Sequence, residues 1–466
     1  PVSITLEPRE GTLTLVSTTF PDIAGEGVFS YASDLAAFDG VTLTTVSGTA
    51  SITAEEVLRG SYDITQAASE GWRLSAITCT GDDDNGSVFD LANGTATIDL
   101  DPEETITCTF ANVRDEEYIR EITQSAIRSF MAARADQILT NSPTLSRRMR
   151  EGDGVATQNH FSANMTEMGF RANFSTSLNA MRMAARDDRA PSNADEVLGV
   201  HNATGMGSLD VWFEASYASA TDNRAGLDAE SDFGMYTIGA DFLQSENLLL
   251  GALVQFDSAE TVTGEWRSRV EGDGWLAGPY VVARLAENLI FDARGAWGRS
   301  ENEVNPIGTY WDEFETERWL VEANLTGDFH ADGWRVTPEL GIAYFTEEQA
   351  AYTDSLGIFI PSQEITIGRA NFGPEFAYRF DRGEGGFVEP FVRVNAIWDY
   401  EDVEVINTNG VLQAIGDVRA DARLGVNAQF ANGGVLSAEV GVQGIGESRF
   451  EANTGMIRIR LPLSMD

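Results

Sequence analysis

From about Ser208 onward the chain alternates apolar and polar residues in short runs, each closed by a turn. Tyr236, Ile238, Ala240 and Phe242 alternate with Thr237, Gly239 and Asp241; Trp319, Val321, Ala323 and Leu325 alternate with Glu322, Asn324 and Thr326; Phe372, Phe376, Tyr378 and Phe380 alternate with Asn371, Glu375, Arg379 and Asp381. Successive side chains of a strand point to opposite faces, so one face of these segments is apolar and the other charged. A soluble β-sandwich and a membrane barrel share this period. They differ in orientation: in a barrel the apolar face meets lipid and the charged face lines a closed lumen.

Strands are predicted near 208–220, 230–243, 247–259, 270–286, 289–302, 314–331, 333–349, 362–381, 386–402, 414–431, 434–448 and 451–463. That makes about 12, an even number as a closed antiparallel barrel of the bacterial outer membrane requires. Glu287-Asn288 and Asp332-Gly333 read as tight hairpin turns, whereas 302–313 and 347–362 read as long loops. Short turns at one end and long loops at the other suit the periplasmic and extracellular sides. Trp212, Trp297, Trp319, Trp334 and Trp398 are candidates for interfacial girdles. The expected inward face carries Arg294, Arg335, Arg379, Arg393, Arg423, Arg458 and Arg460 against Asp241, Asp292, Glu322, Glu339, Glu375, Glu389, Asp421 and Glu439. Interleaved signs at low dielectric need partners, which favours a constricted or plugged lumen over a wide channel.

Upstream, residues 1–114 read as an all-β domain, with strands near 12–16, 41–46, 61–65, 72–78, 95–100 and 105–110 separated by Gly, Asp and Asn clusters. Residues 115–150 change period: Ile119, Ile122, Ile127, Phe130, Ile138 and Leu139 recur at helical spacing, Asp115 can cap the start, and no proline intervenes before Pro143. This predicts an amphipathic helix of about 25 residues, followed by a turn carrying Arg147, Arg148 and Arg150. It could thread the lumen, dock on the barrel mouth or pair with another copy, and its apolar stripe calls for protein rather than water around it. Residues 151–207 read as a connecting region holding one short helix or strand pair, which leaves 208–466 for the barrel.

Composition sharpens this division. The 466 residues carry net charge -42, and every basic residue is arginine. Such acidity argues against nucleic-acid binding, which needs phosphate neutralisation. No run reaches the roughly 18 apolar residues of a membrane-spanning helix, a test that barrel strands of about 9–11 residues escape. No signal peptide opens at Pro1, so an export signal is expected ahead of it. Cys79 and Cys108 fall in predicted strands of one small domain with no histidine nearby, so zinc is not indicated. An exported chain pairs them as a disulfide, and the alternative is two buried thiols. Gly81-Asp82-Asp83-Asp84-Asn85-Gly86 offers three carboxylates that calcium could use, but lacks the EF-hand spacing and is better read as a solvated hairpin turn. His160, His201 and His330 come without a Gly-x-Ser-x-Gly elbow, so no hydrolase is indicated, and no pattern calls for a cofactor or resident metal.

Two resemblances add to this. Gly60-Ser61-Tyr62, Gly71-Trp72-Arg73-Leu74, Cys79 and Thr107-Cys108-Thr109-Phe110-Ala111-Asn112 resemble the prealbumin-like β domains of bacterial surface proteins, which implies a stalk or spacer over most of 1–114. Val211-Trp212-Phe213-Glu214, Tyr236-Thr237-Ile238-Gly239-Ala240-Asp241, Leu248-Leu249-Leu250-Gly251, Gly278-Pro279-Tyr280, Pro338-Glu339-Leu340, Tyr352-Thr353-Asp354-Ser355 and Val388-Glu389-Pro390-Phe391 occur in an order similar to the translocator barrel of classical (type Va) autotransporters. Arg134-Ala135-Asp136-Gln137-Ile138-Leu139 likewise resembles the linker ahead of such barrels. Two features depart from the family. The chain ends Leu463-Ser464-Met465-Asp466 rather than in the usual aromatic residue, and the helix lacks the Asn-Asn pair that some members cleave.

The expected fold is therefore mainly β: a transmembrane antiparallel barrel, a linker helix and a small all-β sandwich. The resemblance implies an outer-membrane autotransporter translocator that displays an N-terminal passenger or stalk outside a Gram-negative cell, without catalysis. Its partners would be outer-membrane lipid and the barrel-assembly machinery. The competing reading is a structural outer-membrane protein in an ordered envelope assembly, with homo-oligomeric or surface contacts through the helix and β domain. A diffusion porin is a third reading, which the helix and the interleaved charges oppose.

Overall fold

The computed structural model describes residues 10–20, 26–146, 149, 159–166, 169–178, 209–222, 229–263, 268–382, 386–401, 405–406, 412–413, 418–430, 435–446 and 452–461. The chain divides into two compact units: Pro1–Thr123 with Asn305–Asp312 and Thr353–Ile360, and Gln124–Val304 with Glu313–Tyr352 and Pro361–Asp466.

The first unit contains a β-sandwich. Its strands are β1 (Glu10–Phe20), β2 (Val28–Ser33), β3 (Thr42–Thr44), β4 (Thr49–Leu58), β5 (Gly60–Gln66), β6 (Trp72–Thr80), β7 (Val88–Asp90), β8 (Thr95–Leu100) and β9 (Thr105–Arg114). One sheet runs β4-β1-β9-β6 and the other β3-β2-β5-β8-β7. The central β1 and β9 are parallel and bury alternate residues, Leu13 and Leu15 against Ile106, Cys108 and Phe110. Period 2 thus delivers a one-sided core, completed from the other sheet by Phe29, Tyr31, Ile64, Ala96 and Ile98. Cys79 and Cys108 face each other across the β6–β9 ladder and are joined by a disulfide. In the same unit, the loop 353–360 is shaped by Asp354, whose carboxylate accepts from the Leu356 and Ile358 amides at 2.9 and 2.7 Å. Leu356 packs against the sandwich core.

Helix α1 (Glu116–Thr140) follows directly. Asp115 caps it, its carboxylate accepting from the Glu117 and Tyr118 amides at 3.0 and 3.2 Å, with Glu116 and Glu117 in the first turn where the helix dipole favours negative charge.

The second unit is built on one closed sheet. Its long strands are β10 (Asn159–Thr166), β11 (Gly169–Ser177), β12 (Leu209–Asp222), β13 (Ala229–Ser245), β14 (Leu248–Thr263), β15 (Ser268–Ala286), β16 (Leu289–Asn305) and β17 (Asp312–Gly327). β17 continues as the short β18 (Phe329–Ala331), which turns into β19 (Trp334–Gln349). A small hairpin, β20 (Tyr352–Thr353) and β21 (Phe359–Ile360), which but for Tyr352 belongs to the first unit, precedes β22 (Gln363–Tyr378), extended by β23 (Phe380–Asp381). Then come β24 (Phe387–Glu401), the pair β25 (Val405–Ile406) and β26 (Leu412–Gln413), β27 (Val418–Gln429), β28 (Val435–Ile445) and β29 (Ala452–Leu461). The sheet closes because β10 pairs antiparallel with β29 and β17 with β19, leaving no free edge.

The barrel has fourteen strands, not about twelve. The two extra strands, β10 and β11, lie in 151–207, where the alternation is short and interrupted by Met and Asn; their pairing with β29 and β12 supplies what the local pattern lacks. The turn at Asp332 and Gly333 has φ of 50° and 85°, the left-handed pair that a two-residue hairpin with native twist demands.

The faces are arranged as a membrane requires. Tyr236, Ile238, Phe256, Trp319, Val321, Leu340, Ile342, Phe372, Phe376 and Val392 are exposed on the outside. Thr237, Asp241, Gln255, Arg294, Arg318, Glu375 and Glu389 are buried or half-buried inside. Trp275, Trp297 and Trp319 lie on successive strands, the first pair edge-on with centroids 5.2 Å apart and the second tilted at 6.3 Å, and Trp334, Tyr378 and Phe380 pack edge-on at the opposite end. From Trp319 to Phe329 the outer face runs ten residues, which at about 3.3 Å per residue and a tilt near 40° is about 25 Å, the height of an outer-membrane apolar band. Trp212 departs from the expected girdle: it points inward and is buried, because Val211 and Phe213 take the outer face.

Candidate functional site: the helix-filled lumen

The C-terminal two thirds of α1 lies inside the barrel. Ala126, Ile127, Phe130, Met131, Ala135, Ile138 and Leu139 share one core with Phe233, Met235, Leu276, Val304, Phe314, Leu320, Phe345, Ile365 and Ile367 from β13, β15, β16, β17, β19 and β22. These wall residues point inward, where the alternating pattern calls for polar side chains. The lumen is greasy where it meets the helix, so the apolar stripe has the protein surroundings it needs.

Polar contacts descend in register with the helix. Arg134 donates to Asn302 Oδ1 at 2.9 Å and Ser300 Oγ at 2.8 Å, and is ion-paired with Glu347. Arg318 pairs with Asp257 at 2.9 Å, and the side chains of Arg134, Glu347, Asp257 and Arg318 are all fully enclosed. Asp136 accepts from Arg369 at 2.7 Å. Ser142 donates to Glu322 at 3.0 Å and accepts from Arg294 at 3.0 Å. Arg284, two residues from the end of β15, donates to the Met149 carbonyl. The helix therefore runs from the long-loop end, where Asn302 and Glu347 lie, towards the short-turn end.

Beyond the helix, the charges pair across strands. Glu375 sits between Arg335 at 2.9 Å and Arg393, Glu389 accepts from Arg335 at 2.5 Å, Arg423 reaches Glu439 at 3.2 Å, and Asp399 joins Arg369 at 2.6 Å to Arg419. Removing one partner of such an enclosed pair costs about 3–5 kcal/mol, because the other charge stays buried. Of the expected inward residues, Arg294, Arg335, Arg393 and Arg423 meet Glu322, Glu375, Glu389, Asp421 and Glu439 as the alternation implies. Asp292 accepts from Asn324 and Glu339 is half-buried. Arg379 does not belong with them: it is exposed, paired with Asp381 and stacked over Phe387. Arg458 lies on β29, and the Arg460 side chain is outside the described residues.

The motif residues separated in sequence gather on the same wall. Trp212 lies over Gly239, its cross-strand partner, and Tyr280 over Gly251. A Cβ on either glycine would fall 2.2–2.3 Å from the ring. Trp212 Nε1 donates to Tyr280 Oη at 2.8 Å, and Tyr280 donates to Asp241 at 2.8 Å. Leu145 and Met149, just past the helix, share the core of this cluster.

Sequence reasoning missed Asp257, Arg318, Glu347, Arg369, Asp399 and Arg419, and took Arg134 and Asp136 only as part of a motif. The signal was available in parity: Asp257 follows Leu253 and Gln255 on one face, and Arg318 precedes Leu320 and Glu322.

Elsewhere, Asp82 and Asp84 accept from the amides of Gly86 and Ser87, so the acidic turn is held by its own side chains. Those amides hold the Asp82 carboxyl below its usual range. Asp83, Asp84 and Asp101 bring carboxylate oxygens within 4.8 Å of one another, all exposed. His330 is exposed and bonded to Asp328 at 3.0 Å. His160 lies on β10 with its side chain outside the described residues, as is the whole of His201; so are Arg147, Arg148, Arg150 and the last five residues.

A closed antiparallel barrel with an apolar belt, aromatic girdles and a charged lumen is an outer-membrane protein of a Gram-negative bacterium. Comparison with known proteins gives the family. Residues 211–441 match the autotransporter beta-domain and residues 14–114 the prealbumin-like fold domain. The barrel is an autotransporter β-domain, carried behind a prealbumin-like domain. The pertactin autotransporter of Bordetella bronchiseptica is 24% identical over 228 residues, covering 47% of this chain and 25% of that protein; its counterpart from Bordetella parapertussis is 23% identical over the same length and 24% covered. The match thus spans about a quarter of the length of these curated relatives. Among solved structures, the β domain of the Bordetella autotransporter BrkA (16% identity, TM-score 0.38) covers 54% of this chain and 98% of its own. The translocator domain of NalP from Neisseria meningitidis (17%, TM-score 0.38) covers 57% and 91%.

Proposed function

We propose that this protein is a translocator that carries the segment ahead of its helix to the cell surface and then keeps it there, with α1 left in the lumen as a plug. The observation that carries this reading is the direction of α1. Arg134, in its C-terminal half, meets the long-loop ends of β16 and β19, and the chain after the helix reaches the short-turn end of β15. A chain entering from the long-loop side and descending to β10 is what remains when the preceding residues have passed outward. The division into a surface β domain over 1–114, a linker helix over 115–150 and a barrel over 208–466 that also takes β10 and β11 from the region 151–207 belongs to this proposal, as do insertion by the barrel-assembly machinery, anchoring in outer-membrane lipid and the absence of catalysis. Display needs no bond chemistry.

The competing idea of an ordered envelope assembly rested on an apolar helix stripe in want of a partner, and the barrel wall now occupies most of that stripe.

Protease treatment of intact cells tests the proposal. Residues 1–114 are expected to be digested without lysis while the barrel persists. Protection of that domain until the outer membrane is opened would place it in the periplasm and end the translocator reading.

A further inference from the structure

The helix enters the lumen between two walls of opposite charge. Arg134 projects to one side, where Glu347 and Asp257 form an enclosed carboxylate pair that Arg318 only half neutralises, and Arg134 completes the balance. Asp136 projects to the other, where Arg369 donates to it at 2.7 Å and Arg419 and Arg171 lie within electrostatic reach. Two positions apart on an α-helix is a rotation of about 200°. An Arg-x-Asp step therefore presents opposite charges to opposite walls.

We propose that the lumen is a receptor keyed to an Arg-x-Asp helix, and that Arg134 and Asp136 are the positioning residues that set its rotation and depth. The inference rests on the part of the preceding reading that leaves the helix in the lumen, not on surface display. Apolar packing alone is permissive: Ala126, Ile127, Met131, Ala135, Ile138 and Leu139 could slide by a turn along a wall of Leu, Ile and Phe. The charges are not permissive. A helix turned by half a revolution sets Arg134 against Arg369 and Arg419, and Asp136 against Glu347 and Asp257. A helix one turn too high or too low leaves the enclosed Glu347 and Asp257 short of one positive charge, and leaves Arg369 and Arg419 with Asp399 as their remaining carboxylate partner. Only one register satisfies both, so the seats define where outward movement of the chain stops.

The test uses the purified full chain folded in detergent. Ala135, fully buried beside the key, is replaced by cysteine as a reporter, and the native cysteines do not react because they are disulfide-bonded. A water-soluble maleimide then reports unseating, while slower migration after heating shows that the barrel is folded. In the A135C background, R134E/D136R is expected to raise the labelling rate tenfold or more with the barrel intact. Charge exchange is expected to return it close to the parent: R134E with E347R, and D136R with R369D. Equal labelling of the reversed and parent helices, or exchange variants as reactive as the single reversals, would overturn the proposal. A side chain that merely filled space would not be rescued by exchange. If R134E/D136R yields no folded barrel, R134Q and D136N take its place; each is expected to raise labelling several-fold, and an unchanged rate overturns the proposal. The readout is independent of cells, so failed surface display and a failed key are separate results.

Discussion

At the scale of single residues, this protein places polar groups where burial makes them expensive and satisfies them in chains. In the sandwich, Ser17 Oγ lies 2.5 Å from Tyr31 Oη, Tyr31 donates to Gln66 Oε1 at 3.0 Å, and Gln66 Nε2 donates to Asn112 Oδ1 at 2.8 Å. Burial pushes the Tyr31 phenol up to about 12, with the Ser17 contact opposing it. A folded-state value above the unfolded value near 10 means that the unfolded chain gives up the proton first. The Tyr31 contribution is thus fully present below pH 10 and is lost as pH rises towards 12. Arg114, stacked 4.1 Å over Trp72, is drawn down to about 10 by desolvation and works in the opposite sense over an overlapping range. The two are separated by difference. Wild type minus Tyr31→Phe, followed by amide-exchange protection of β1 and β9, is expected to decline between pH 10 and 12; a flat difference would refute the assignment. In the barrel, Gly239→Val drives a side chain into the Trp212 ring. Overpacking of this kind costs about 1–3 kcal/mol, and the expected outcome is a lower yield of heat-modifiable barrel than for Gly234→Val, a position with open space.

At the scale of elements, local pattern was enough wherever one period ran unbroken. The helix was legible over its whole length because Asp115, the 3.6-residue apolar recurrence and the absence of proline agree. In the sandwich, β5, β6, β8 and β9 fell where expected, whereas β2, β4 and β7 were missed. β4 carries Glu55 and Glu56 with a positive φ at Glu56, and β7 is a three-residue edge, so neither has a period to read. The disulfide joins cross-strand neighbours 29 residues apart. Closing a loop of that length stabilises a small domain by roughly 3–4 kcal/mol in the chain-entropy account. The Cys79→Ser/Cys108→Ser chain is expected to lose that much in urea unfolding of the sandwich, while the barrel keeps its heat-modifiable migration. Equal loss in both units would mean that they unfold together.

At the scale of the whole molecule, the decisive property is closure. Each barrel strand is unremarkable alone, and a one-residue slip would turn its charges to lipid. Closure ties all registers together, satisfies every ladder and makes the inside a different solvent from the outside. This is also why the strand number escaped a local reading: β10 and β11 qualify as barrel strands through their partners β29 and β12, not through their own composition.

The sequence by itself determined the period of each segment, the sign of each face, the helix with its cap, the two cysteines of one small domain and the motifs that mark the barrel. These follow from covalent spacing and local sterics, which act over a few residues and are written in order along the chain. Tertiary structure alone decided that the apolar face of the strands points outward, that fourteen strands close the wall, that Trp212 turns inward over Gly239, and that Arg134 and Asp136 meet charges more than 100 residues away on opposite walls. Those outcomes depend on which distant segments become neighbours. A helix surface has no charge preference until a wall faces it, and a wall exists only once the first strand has found the last.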